Sequence, residues 1–164
     1  MYNASKCPIC GADMVLPYGP ESSDTLLVGE YPGIHELRRG VPFVGEAGEI
    51  LDREMARVGI HIWQCRLTNL WLHVKNDNPD CLAEGVKSLT KEMSGRKVLL
   101  MGSELALFFL NDKIMHWSGL KAKSPLFPST QFVMMSVNPA LCLHQPAGEF
   151  KLAVDKFAYA CKEV

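Results

Sequence analysis

Four short apolar segments, each followed by a helical pattern, constrain the fold of this chain more than any other feature. Their length and apolar character indicate buried strands, predicted at residues 25–29, 66–70, 97–102 and 132–137. Helical spacing of apolar residues and helix end signals predict helices at residues 46–58, 81–93, 103–110 and 148–164. Strand–helix alternation of this kind is typical of a parallel sheet covered on both faces. We therefore expect an α/β fold, a three-layer α/β/α sandwich with a four-stranded parallel sheet.

Length and composition predict one domain spanning residues 1–164. The 164 residues are 48% hydrophobic and 21% charged, which provides enough apolar material for a core without disulfides. Residues 1–20 are rich in Cys, Pro and Gly and lack periodicity, so an irregular N-terminal arm is expected there. The net charge of −1 gives no global sign of a nucleic-acid partner, although a small basic groove is compatible with it.

Sequence signals for export or membrane insertion are not found. Residues 1–6 do not form a basic segment followed by an apolar one, and no apolar run approaches roughly 18 residues, the length of a membrane helix. We therefore expect a cytoplasmic monomer without membrane attachment. In the cytoplasm, the six cysteines are predicted to be thiols or metal ligands rather than disulfides.

The loops that leave the predicted strands contain the candidate functional residues, because ligands of such sheets bind at the carboxyl ends of the strands. Glu30 lies in a Gly-Glu-Tyr-Pro-Gly turn after the first strand, where a carboxylate can position a water or accept a proton. An ordinary surface turn is the alternative. Phe43 lies between two glycines, and its ring can stack on a planar base or fill the core beneath the loop.

Several motifs, taken in order, resemble those of the iron–sulfur uracil-DNA glycosylases. Residues 29–52 contain Gly-Glu-x-Pro-Gly, then Arg-Arg-Gly, then Pro-Phe-Val-Gly-x-Ala-Gly-x-x-Leu-Asp, similar to the first motif block of that family. The Thr-Asn pair at residues 68–69 and Gly102, followed by Ser-x-x-Ala, are similar to its next two motifs. Asn-Pro-Ala at residues 138–140 stands where the family carries His-Pro-Ser or His-Pro-Ala. The resemblance runs from about residue 25 to the C terminus and implies the uracil-DNA glycosylase fold.

The resemblance also implies roles for individual residues. Phe43 would stack on a uracil flipped out of DNA, and Asn69 would pair with its polar edge, because an amide both donates and accepts. Glu30, with the adjacent backbone of Gly29 and Tyr31, would hold the attacking water at the base. The implied reaction is hydrolysis of the N-glycosidic bond of uracil, or of a related deaminated or modified base, in base-excision repair. The implied partner is therefore DNA that contains such a base.

Asn138 is the main departure from the family pattern. It stands in place of a histidine that would donate to the uracil carbonyl as negative charge develops there. An amide still donates a hydrogen bond but carries no charge, and the mismatch-specific uracil glycosylases also have asparagine here. We expect a slow or altered enzyme. The alternatives are a catalytically weak or inactive glycosylase fold that binds DNA or protein, and an enzyme acting on a small nucleotide.

The cysteines near the N terminus indicate a metal site. Cys7 and Cys10 form a Cys-x-x-Cys knuckle, which aims two thiolates at one point. By resemblance to the family, the other two ligands would follow the Thr-Asn pair, where this chain has His73 and then Cys81. Such a Cys₃His set fits an iron–sulfur cluster or a structural zinc. The resemblance implies a [4Fe–4S] cluster, with zinc as the alternative. The alternative is that no metal binds, in which case the cysteines are free thiols and His73 is an ordinary loop histidine.

Overall fold

A computed structural model describes residues 4–164, which contain seven strands. The strands are β1 (Ser5–Lys6), β2 (Asp13–Met14), β3 (Thr25–Gly29), β4 (Arg66–Asn69), β5 (Lys97–Met101), β6 (Lys121–Ala122) and β7 (Phe132–Ser136). The main sheet has the order β4-β3-β5-β7-β6, in which the first four strands are parallel and β6 is antiparallel to β7. The predicted α/β fold with four parallel strands is confirmed. The short edge strand β6 is an addition, in a segment whose sequence has no strand pattern.

Helices cover both faces of this sheet. They are α1 (Ile34–Arg39), α2 (Glu46–Arg57), α3 (Pro79–Met93), α4 (Ser103–Leu110) and α5 (Gly148–Lys162). Four of them match the predicted helices to within a few residues, and α1 lies in a segment for which the sequence predicts no helix. Helix α3 begins two residues earlier than predicted because Asn78 caps it, with its side chain accepting from the backbone N–H groups of Asp80 and Cys81.

The core lies in two layers because successive strand residues point to opposite faces of the sheet. On β5, Val98 and Leu100 pack against the layer that includes α3 and α4. Leu99 and Met101 face the other layer, which includes α2 and α5. All four side chains are fully buried, as expected for a parallel strand covered on both sides.

The N-terminal arm is more regular than the sequence indicates. Strands β1 and β2 form a two-stranded antiparallel hairpin, so the prediction of an irregular arm is wrong for residues 5–14. After the hairpin, the chain runs along the edge of β4. The backbones of Tyr18 and Leu67 exchange hydrogen bonds of 2.8 Å, and the Val15 N–H donates to the carbonyl of Leu72 at 2.7 Å. The arm therefore covers the edge of β4, which would otherwise be open.

Helix α3 approaches the sheet closely at Gly85. A Cβ atom added to this glycine would lie 2.0 Å from the carbonyl oxygen of Leu70. Any larger residue would therefore push α3 away from the segment that follows β4. Among the described helices, none is both long enough and apolar enough to cross a membrane.

Candidate active site and metal centre

A cleft of about 480 Å³ opens at the carboxyl ends of the parallel strands. Glu30 directly follows β3, Asn69 is the last residue of β4, and Asn138 lies two residues after β7. The cleft brings together all six residues predicted for the active site, namely Gly29, Glu30, Tyr31, Phe43, Asn69 and Asn138. Their roles in binding or catalysis remain predictions.

Gly29 allows an aromatic ring and an amide to meet at the floor of the cleft. A Cβ atom at this position would lie 2.5 Å from Oδ1 of Asn69 and about 3 Å from two ring carbons of Phe43. Gly29 and Asn69 are also paired in the sheet register, which places the amide beside the strand that carries Glu30. The ring and the amide therefore border the same small space, as a planar ligand with a polar edge requires.

The loop that carries Phe43 has a strained backbone. Phe43 has a φ of 58°, a conformation that residues with a side chain rarely adopt. Gly48 in α2 makes room for this loop, because a Cβ there would lie 2.1 Å from the carbonyl oxygen of Phe43. Strain of this kind is typical of sites where the surrounding structure fixes a functional side chain.

Asn69 lines the cleft, and its side-chain amide opens onto it. Only 4% of this residue is exposed, and within residues 4–164 its side chain makes no hydrogen bond. A polar group that opens onto a cleft without a protein partner is a candidate for binding a ligand there. A ligand that matches this amide would present one donor and one acceptor side by side.

Both carboxylate oxygens of Glu30 accept hydrogen bonds from the protein. Oε1 accepts from Nδ2 of Asn138 at 2.7 Å, and Oε2 accepts from the backbone N–H of Glu104 at 3.0 Å. The second donor belongs to the first turn of α4, where the helix dipole favours a negative charge. Gly102 has a φ of 141°, and a Cβ there would lie about 2.5 Å from the Glu30 side chain. Glu30 is thus fixed in one position, with lone pairs left to accept further bonds.

The side chain of Asn138 is held in a defined orientation. Its Oδ1 accepts from the backbone N–H of Ala140 at 2.9 Å, while its Nδ2 donates to Glu30. A carboxylate only accepts, so the amide nitrogen must face it. One N–H of Asn138 remains to donate to a ligand in the cleft.

Glu36 is a functional candidate that the sequence reasoning missed. Its Oε1 accepts from the N–H of Gly33 at 2.8 Å and its Oε2 accepts from the N–H of Val44 at 3.1 Å. It therefore ties the turn after Glu30 to the loop of Phe43. The signal in the sequence is the acidic residue three positions after Gly33, a spacing found at helix starts.

Arg38 and Arg39 lie in the last turn of α1, whose first turn lines the cleft. Both are exposed, and neither forms an ion pair within the part of the chain that the structure describes. They are therefore available for phosphate contacts near the cleft.

Cys7, Cys10, His73 and Cys81 come together in a second cluster, with ligand atoms that all lie within 4.8 Å of one another. The Sγ atoms of Cys7 and Cys81 are 3.9 Å apart, and Sγ of Cys10 is 3.6 Å from Nε2 of His73. Three thiols and an imidazole form a donor set typical of transition metals. The four residues therefore can hold a metal.

The thiols of this cluster differ in acidity. Burial opposes ionisation of Cys7, but hydrogen bonds, first from the backbone of Cys10 and Ile9, outweigh it and lower its pKa to about 7. Burial raises the pKa of Cys81, and a hydrogen bond from Asn76 offsets part of this effect. Cys7 is thus more easily converted than Cys81 to the thiolate that binds metals.

Comparison with known proteins identifies the family to which this chain belongs. The sequence profile of the uracil DNA glycosylase superfamily matches residues 16–160, and the chain belongs to that superfamily. It is 34% identical over 70 residues to a type-4 uracil-DNA glycosylase of Pyrobaculum aerophilum, which covers 42% of this chain and 36% of that protein. It is 35% identical over 69 residues to a type-4 uracil-DNA glycosylase of Archaeoglobus fulgidus, covering 42% of this chain and 35% of that protein. The matched part is therefore little more than a third of the length of these relatives.

Proposed function

We propose that this protein is a DNA glycosylase that hydrolyses the N-glycosidic bond of uracil in DNA. The observation that carries the proposal is the amide of Asn69, which opens onto the cleft without a protein partner, beside the ring of Phe43. Membership of the superfamily and the likeness to type-4 uracil-DNA glycosylases support it. The base must leave the helix stack to reach such a cleft, as is general for enzymes that act on bases.

Recognition of uracil rests on Asn69 and Phe43. The uracil edge carries an N–H next to a carbonyl oxygen, so one amide can accept from the first and donate to the second. The ring of Phe43 offers a face on which the flipped base stacks. A ligand lacking either polar group would leave the amide unpaired in a buried place, which is costly.

Glu30 and Asn138 lie where the chemistry would take place. As the bond from C1′ to N1 breaks, negative charge gathers on uracil and positive charge on the sugar. The remaining N–H of Asn138 can donate to the uracil carbonyl and stabilise the first charge. Glu30 stabilises the positive charge and takes up the proton of a water as the water oxygen bonds to C1′. The electron pair of the broken C1′–N1 bond leaves with uracil. The hydrogen bond between the two side chains orients the donor and polarises it.

DNA is the partner that this cleft suits. Arg38 and Arg39 provide positive charge on the helix whose first turn lines the cleft. The six cysteines are unpaired, in keeping with the reducing cytoplasm. The Cys₃His cluster is a structural element in this proposal, whether it holds the iron–sulfur cluster that the resemblance implies or zinc, and no catalytic step depends on it.

Incubation with short oligonucleotides, followed by alkali, tests the proposal and its substrate range. Oligonucleotides that contain one uracil, as single strands and opposite guanine or adenine, should break at the uracil. The same sequences with cytosine or thymine should stay intact. Binding of uracil DNA without strand breakage would instead indicate a glycosylase fold that acts as a binding module.

A further inference from the structure

The spacing of the four ligand atoms indicates which metal the site binds. Two of them lie in or beside the turn between β1 and β2, one follows β4, and one lies in the first turn of α3. We propose that Cys7, Cys10, His73 and Cys81 bind a single tetrahedral zinc ion, and not the [4Fe–4S] cluster that the family resemblance implies. The inference concerns this site alone and does not depend on the glycosylase activity.

Two of the separations between ligand atoms match the edges of a zinc tetrahedron. With Zn–S bonds of about 2.3 Å and Zn–N bonds of about 2.05 Å, tetrahedral angles separate two sulfurs by about 3.8 Å and a sulfur from a nitrogen by about 3.6 Å. The Cys7 and Cys81 sulfurs are 3.9 Å apart, and Cys10 Sγ lies 3.6 Å from His73 Nε2. No pair of ligand atoms in this set is farther apart than 4.8 Å.

A four-iron cluster requires more room. Each of its four protein ligands binds a different iron, so the separation between two ligand atoms includes an iron–iron edge and two bonds that point outward. Ligands around one ion have no such spacer between them. The four residues therefore surround a volume suited to one ion, and opening it for a cluster would require several segments to move apart. The imidazole of His73, in place of a thiolate, also matches the Cys₃His sets of structural zinc sites.

The surroundings of the ligands support a closed metal site. Nδ1 of His73 lies 2.7 Å from the carbonyl of Val74, so it donates there and leaves Nε2 free to bind the ion. The side-chain nitrogen of Asn76 lies 3.6 Å from the Cys81 sulfur and can donate to the thiolate. Four protein ligands leave no open coordination position, which is typical of structural zinc and not of catalytic zinc.

The ion would tie the N-terminal hairpin to the segment that supports the cleft. Lys75, two residues after His73, donates to the side chain of Glu104 at 2.6 Å. The backbone N–H of Glu104 in turn holds Glu30. Zinc would thus stabilise the region on which the position of the carboxylate depends, without contacting it.

Metal and sulfide analysis of the whole protein tests this inference. The protein is produced in medium supplemented with both iron and zinc, purified without oxygen, and analysed at once for zinc, iron and acid-labile sulfide. We expect about one zinc per chain, no sulfide and no visible absorption, as for a single structural ion. Iron with comparable sulfide, accompanied by a brown colour, would overturn the inference, and so would protein that contains neither metal.

Paired cysteine variants assign the zinc to this site. Cys10→Ser removes one of the four ligands and should lower the zinc content by more than half. Cys161→Ser changes a half-buried cysteine of α5 outside the cluster and should keep the wild-type content. Equal zinc content in the two variants would place the ion elsewhere and overturn the assignment. Should Cys10→Ser fail to fold, the metal and sulfide content of the wild type still decides the matter.

Discussion

At the scale of single residues, the cleft combines two kinds of side chain that differ in how firmly they are held. Glu30 and Asn138 are fixed by hydrogen bonds to each other and to the backbone. The side chain of Asn69 makes no hydrogen bond within residues 4–164 and is positioned by packing alone. In the proposed function, Asn69 would form its hydrogen bonds with the base. Glu30 and Asn138 would already be in position before the base enters the cleft.

Asn138 is the residue at which a substitution should improve the enzyme. Asn138→His restores the donor that the family carries, and an imidazole beside Glu30 gains positive charge that an amide cannot carry. We expect the single-turnover rate on uracil DNA to rise about tenfold, which equals about 1.4 kcal/mol of transition-state stabilisation. Asn138→Ala, which removes the donor, should lower the same rate. A wild type faster than both variants would show that the amide is already the better donor here.

Asn69 should control the choice of base. Asn69→Ala removes the amide that pairs with the uracil edge, and we expect kcat/KM for uracil DNA to fall about 100-fold or more. Because the change leaves the surface arginines untouched, the affinity for undamaged duplex DNA should stay the same. Rates measured on uracil DNA, together with binding of an undamaged duplex, check this. A loss of both would point to general disruption of the cleft.

At the scale of elements, helices and strands could be predicted from the sequence where their packing is regular. The four parallel strands have apolar runs, and α2 and α3 have apolar residues at helical spacing, so their patterns match their burial. Helix α1 was not predicted because none of its residues is buried. Its six residues are also too few to show a helical period of apolar residues. Strand β6 has two residues and owes its conformation to pairing with β7, which is a long-range contact.

Helix α1 should matter through Glu36, which connects two loops of the cleft. Glu36→Ala frees the N–H groups of Gly33 and Val44 and should loosen the strained loop that carries Phe43. We expect kcat/KM to fall about tenfold while the melting temperature changes little, because the lost bonds are near the surface. Glu49→Ala, an exposed change in the neighbouring α2, serves as the matched control and should leave both quantities unchanged. Equal effects of the two substitutions would contradict the positioning role.

The contact between α3 and the segment after β4 should determine stability. Gly85→Ala would place a methyl group 2.0 Å from the carbonyl oxygen of Leu70, so the helix must shift. We expect a loss of about 2 kcal/mol in the free energy of unfolding, as is typical of overpacking. Gly148, at the start of α5, has nothing within 4 Å of an added Cβ. Gly148→Ala should therefore leave the free energy of unfolding unchanged or raise it slightly. Denaturant unfolding of both variants distinguishes these outcomes.

At the scale of the whole molecule, the sequence indicated the edge of the sheet at which the site lies, because parallel strands place their carboxyl ends together. It also indicated the four candidate metal ligands, which the structure gathers into one cluster. It did not indicate that Glu30 and Asn138 are bonded, nor that the Asn69 amide is unpaired. Both facts depend on side-chain directions that arise only when distant segments pack.

Detection of free uracil released from DNA tests the central claim most directly. A duplex with one uracil is incubated with excess protein, and both the free base and the abasic strand are measured over time. We predict equal amounts of both from the wild type, and none from a Glu30→Ala, Asn69→Ala double variant purified in the same way. Absence of free uracil from the wild type, or equal release by the double variant, would contradict the account, the second outcome revealing a contaminating enzyme.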